Sequence, residues 1–126
     1  MLLKPFLPAT LWLVAITYLS VGSNVQLPKI ELFSADKLAH AGAYAILGWL
    51  LAWGVWKSKG AVRGGELFLI FCFASLYGAM MEWVQGTFFP NRFFEYDDML
   101  ANAAGAFIAG ISALPLLKII YPGLNK

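Results

Sequence analysis

Four long apolar runs, separated by short polar or turn-rich breaks, restrict what this chain can fold into more than any other feature. They extend from about Phe6 to Val21, Leu38 to Trp56, Leu67 to Phe89 and Met99 to Ile120. The breaks between them read SNVQLPKIE, KSKGAVRGGE and PNRFFEYDD. A spanning helix needs about 20 predominantly apolar residues, and in lipid its backbone must satisfy its own N–H and C=O groups. The expected fold is therefore all-α, an integral membrane bundle of four transmembrane helices forming one domain over residues 1–126. Composition agrees. Of the 126 residues, 60% are hydrophobic and 13% charged, against about 45–50% and about 25% in a soluble domain. The first run also reads as a secretory signal, with Lys4 before the apolar stretch and SVG as a small-x-small site. Pro5 and Pro8 suit a helix N-terminus, where a missing N–H costs little.

Loop charge sets the direction of insertion. With four spans, both termini and the middle loop share one side. That side carries Lys4, Lys57, Lys59, Arg63, Lys118 and Lys126, and the other only Lys29, Lys37 and Arg92. Both termini are thus expected in the cytoplasm, in a multi-pass protein of the cytoplasmic (inner) membrane. The acids are distributed the opposite way. Glu31, Asp36, Glu82, Glu95, Asp97 and Asp98 lie at or near the outer end, and only Glu66 is inner. Acids contribute little to orientation, so that pattern has another cause.

A net charge of +2 with no basic stripe is too small and too dispersed to suggest nucleic acid, and none is expected as a partner. The lone Cys72 lies inside an apolar run and cannot form an intramolecular disulfide. Rows of small residues, Ala101–Gly105–Ala109 and Ala106–Gly110, are expected to let helix backbones approach closely.

The acids converge with other polar groups where three helix ends meet. At the start of the second span, Asp36, His40 and Tyr44 recur every fourth residue and share a helix face, with Lys37 beside them. Glu82 and Gln85 share a face near the end of the third span, and Asp98 and Asn102 share one at the start of the fourth. Arg92 lies in the turn between those spans. Glu82 is the only carboxylic acid between Leu67 and Phe89 and sits about 10 Å from Phe89 along the helix. A charge on the lipid face at mid-membrane costs about 2.5–3.5 kcal/mol on insertion scales, less near an interface. Glu82 is therefore expected to face the bundle interior, with His40, Arg92 and Asn102 as partners, lining an outward polar pocket. Plainer roles compete for the same residues. Asp97 and Asp98 suit helix capping, Ser34 and Asp36 a helix start, Tyr44 an interfacial anchor, and Arg92 a pinned turn.

The segments DKLAHAGAY, EWVQGTFFPNR and DDMLANAAG together resemble the VanZ-like family, over about residues 34–110. The resemblance rests on Asp36, Lys37, His40 and Tyr44, then Glu82 and Gln85, then Pro90 and Arg92, then Asp98, Asn102 and Gly105. It implies a small helical integral membrane protein of bacteria. The named member of that family is associated with resistance to teicoplanin, a glycopeptide that binds cell-wall precursor peptides. The resemblance implies which residues matter and not what they do.

Four readings of the constellation stay open. As an enzyme of the outer leaflet, the protein would use Glu82, Asp98 and His40 as general acid and base. Lys37 or Arg92 would hold a lipid phosphate, with Asp36, Tyr44, Gln85 and Asn102 completing substrate binding. No serine or cysteine accompanies His40 at a nucleophile's spacing. As a binding protein, it would hold a lipid head group, wall precursor or glycopeptide without chemistry, bordered by Trp83, Phe88, Phe89, Phe93, Phe94 and Tyr96. As a metal protein, it would use Asp36, His40, Glu82 and Asp98, although no metal-binding signature marks them and no cofactor is specified. As a structural element, the same groups would only lock four helices together.

Overall fold

The computed structural model describes residues 3–22, 35–89 and 93–125. A short 3-10 turn, Lys4–Phe6, leads into α1 (Leu7–Gly22). Then follow α2 (Ala35–Lys59), α3 (Gly64–Phe88), α4 (Tyr96–Ile120) and a closing 3-10 turn, Pro122–Asn125. Among the described residues there is no strand. All four helices are long and apolar enough to cross a membrane.

Helices α2, α3 and α4 begin three residues earlier than their apolar runs. Asp36 lies in the first turn of α2, and Asp97 and Asp98 in that of α4. Acids are favourable there because the unpaired N–H groups of a helix start carry partial positive charge. They are not side-chain caps of α4, whose N-cap is Glu95 and makes no side-chain cap bond. Ser34 and the PNR turn lie outside the described residues. At the opposite end, the Glu66 carboxylate accepts the Arg63 backbone N–H at 2.8 Å and the Lys59 ammonium at 2.9 Å, closing the turn from α2 to α3.

Cross-helix bonds give the arrangement. Trp49 Nε1 donates to Ser112 Oγ at 2.7 Å, and Trp53 Nε1 to the Tyr121 hydroxyl at 3.1 Å. With His40 bonded to Asn102 nearer the start of both helices, α2 and α4 run parallel and share the most extensive interface in the molecule. α3 packs antiparallel to both. α1 attaches more lightly, burying Ala9 and Ile16. It is tied by Trp12 Nε1 donating to Ala43 O at 2.8 Å, by a Thr17–Tyr77 hydroxyl pair, and by Gln85 Nε2 donating to Ser20 O at 2.7 Å. The core along these contacts contains Ile16, Tyr44, Leu47, Ala74 and Ala106, with Ala52, Ile70 and Ala113 nearer the Lys59 end.

Small residues explain the closeness of α2 and α4. A Cβ added to Gly105 would overlap the carbonyl oxygen of Ala41. In lipid, where apolar contact with a neighbouring helix is no better than contact with acyl chains, such backbone approach drives association. Ala106 and Ala109 are buried in line with Gly105, whereas Gly110 faces open space, so the second small-residue row is only half used. Pro115 sits inside α4 without ending it.

Candidate functional site

The starts of α2 and α4 and the end of α3 meet at one end of the bundle. His40, Glu82 and Asn102 lie five or six residues from their helix ends, which is about 7–9 Å along the axis. A helix of 25 residues, as α2, α3 and α4 are, is about 37 Å long against a hydrocarbon core of about 30 Å. The three side chains therefore share one level, roughly one turn inside the hydrocarbon boundary. Glu82 is 2% exposed, Gln85 5%, Asp98 7% and Asn102 1%. Burying polar groups in this way is costly unless they find partners.

Asn102 is the centre of the arrangement. Its carbonyl Oδ1 lies 2.9 Å from His40 Nδ1. A carbonyl only accepts, so Nδ1 carries the proton and donates. The Asn102 amide nitrogen faces α3 instead, where a Cβ added to Gly78 would come within 2.8 Å of it. The other ring nitrogen of His40, Nε2, is turned to the carboxylates of α2 and α4. That atom lies 3.7 Å from Asp36 Oδ1 and 3.7 Å from Asp98 Oδ2. The other oxygen of Asp98, Oδ1, accepts from Lys37 Nζ at 3.2 Å. Lys37 Nζ also lies 3.7 Å from Glu95 Oε2 and 3.9 Å from Asp97 Oδ2. Glu82 sits on the α3 side, within electrostatic reach of Asp98 and His40, and its carboxylate accepts the backbone N–H of Glu95.

Asp36, Lys37, His40, Glu82, Asp98 and Asn102 thus lie together at one end of the bundle. Arg92 lies outside the described residues. Gln85 directs its amide to α1, where it holds the Ser20 carbonyl. Tyr44 is 2% exposed and belongs to the core, on the inward side of Glu82, so it is no interfacial anchor. Of the four side chains considered as metal ligands, Asp36, His40 and Asp98 bring one ligand atom each within 4.8 Å of one another, and Glu82 stands outside that group. Sequence reasoning missed the pairing of Lys37 with Glu95 and Asp97, and the Thr17–Tyr77 pair below.

Aromatic rings border this end. Trp83 stacks edge-on against Phe88, and Phe94 against Tyr96. Trp83, Phe88, Phe93 and Tyr96 are exposed, as expected for side chains at head-group depth.

No curated protein and no solved structure matches the chain. A model of the family described as VanZ/LLP1 does match, over residues 3–118, a range that contains every residue of the cluster around Asn102. The match takes in all of α1, α2 and α3 and nearly all of α4, and the chain belongs to the VanZ/LLP1 family.

Proposed function

We propose that this VanZ-like protein is a single multi-pass domain of the bacterial cytoplasmic membrane, with both termini in the cytoplasm. Its outward end carries a polar site that binds or acts on a cell-envelope lipid, wall precursor or glycopeptide. The observation that carries this reading is the burial of Glu82, Asp98 and Asn102 together at one end of an apolar bundle. Intramembrane ionisable residues are expensive and are usually retained at functional sites. Lys37 supplies positive charge for a phosphate or carboxylate, and the exposed rings supply a surface for an acyl chain or a lipophilic side group. Glu82, within electrostatic reach of His40 and Asp98, is placed to move a proton on a ligand held there.

Native mass spectrometry of the purified protein tests ligand binding. A lipid or wall precursor of defined mass is expected on the wild type and is expected to be lost or reduced in Glu82→Gln and Asp98→Asn. Wild-type protein that carries none under gentle extraction would count against the reading.

One observation favours a structural role as the second reading. Gln85 and Asn102 both spend hydrogen bonds inside the bundle. Measuring abundance beside phenotype separates the two. If Glu82→Gln and Asp98→Asn lose activity only in proportion to lost protein, the groups are helix ties.

A further inference from the structure

We infer that Asp36, His40 and Asp98 form a binding site for one divalent first-row transition-metal ion, zinc or manganese. Its ligands are Oδ1 of Asp36, Nε2 of His40 and Oδ2 of Asp98. The inference rests on the outward polar site proposed above and gives it a Lewis-acidic centre.

The first support is the orientation of the imidazole. Asn102, almost wholly buried, takes the proton of Nδ1 at 2.9 Å. Nε2 is left facing two carboxylate oxygens at 3.7 Å, an arrangement that calls for a positive centre, a proton or a metal ion, between them. A metal-bound histidine typically donates its other ring N–H to a fixed acceptor, and that acceptor sets the tautomer. Asn102 occupies that position.

The second support is distance. At 3.7 Å, Nε2 is too far from Asp36 Oδ1 and from Asp98 Oδ2 for hydrogen bonds. Two ligands of one ion, each bound at about 2.0–2.2 Å, lie about 3–4 Å apart. All three ligand atoms fall within 4.8 Å of one another, so modest side-chain rotation closes the set.

The third is the division of labour within Asp98. Its Oδ1 is engaged by Lys37 at 3.2 Å, which holds the carboxylate with Oδ2 turned toward His40. Among the described residues, Asp36, Glu82, Glu95, Asp97 and Asp98 gather around Lys37 and His40, and a dication offsets that excess of negative charge.

One imidazole with two carboxylates suits zinc or manganese, whereas magnesium and calcium prefer all-oxygen sites. Three protein ligands leave coordination positions free. A phosphate or carboxylate oxygen of an envelope ligand would fill them, with Lys37 as its second contact.

The full chain, purified in detergent and stripped with chelator, is titrated with zinc or manganese chloride in the absence of added lipid. Bound metal is read by elemental analysis and thermal stability. The expected result is one ion per chain and a metal-dependent rise in Tm. Asp36→Asn and His40→Gln should each weaken binding at least tenfold. Asn102→Ala should weaken it about 10–100-fold as an outer-shell change. Glu66→Gln, at the other end of the bundle, should leave it unchanged. Asp36 is only half-buried in the first turn of α2, so Asp36→Asn keeps the test usable if the buried variants do not fold. Wild-type protein that retains no metal, or an Asp36→Asn protein that binds as tightly as wild type, would overturn the site. If wild type takes up no metal yet carries a lipid, the metal inference fails alone. If metal binds and no envelope ligand does, the metal site stands without the proposed function.

Discussion

Asn102 touches two helices at once. Its carbonyl holds the His40 ring, and its amide nitrogen rests against α3 at Gly78. The glycine is a steric requirement of that contact, because a Cβ there would meet Asn102 Cβ and Nδ2 at 2.8 Å. Gly78→Ala is therefore expected to displace Asn102 and cost about 1–3 kcal/mol, the usual range for overpacking. Reversible unfolding in mixed micelles measures it. A fully stable Gly78→Ala protein would mean that α3 and α4 are less tightly held than the distances imply. Lys37 shows a different economy. It reaches the carboxylates of Glu95, Asp97 and Asp98, and of these Asp98 is the buried one. Its bond to Asp98 should dominate, since exposed ion pairs contribute about 0–1 kcal/mol.

The interfaces between helices combine close backbone approach with side-chain hydrogen bonds. Between α2 and α4, close backbone approach at Gly105 is reinforced by the Trp49–Ser112 and Trp53–Tyr121 bonds. Interhelical hydrogen bonds in membranes average only about 0.6 kcal/mol in double-mutant cycles. A cycle of Trp49→Phe with Ser112→Ala should return a coupling near that figure. A coupling well above about 2 kcal/mol, beyond the largest values measured in such cycles, would show that the pair is a principal clasp of the interface. The existence of all four helices was legible in the sequence, because uninterrupted apolar runs report spanning length directly. The starts of α2 and α4 were not, because hydropathy discounts the very acids, Asp36, Asp97 and Asp98, that a helix N-terminus favours. Likewise the spacing of Asp36 with His40, and of Asp98 with Asn102, revealed which residues share a face. It did not reveal that His40 would meet Asn102, since that register depends on how far α2 slides along α4, and the contact of Gly105 with Ala41 sets it.

For the molecule as a whole, the two ends are chemically distinct. One gathers Asp36, Lys37, His40, Glu82, Asp98 and Asn102. The other holds Lys57, Lys59, Arg63 and Lys118. The bias in Lys and Arg predicts that the second end faces the cytoplasm. An alkaline-phosphatase fusion at Asn91 should be active and one at Lys59 silent. The reverse pattern would invert the protein and turn the polar cluster inward. The parallel pairing of α2 with α4 also bears on biogenesis. α2 leaves the ribosome well before α4, and its polar face gains its principal partner only when the last helix emerges. Until then Glu82 and His40 must wait in the translocon or in lipid without Asn102. A nascent chain stalled before Tyr96 should consequently be a preferred substrate for membrane proteases, while the completed chain escapes them.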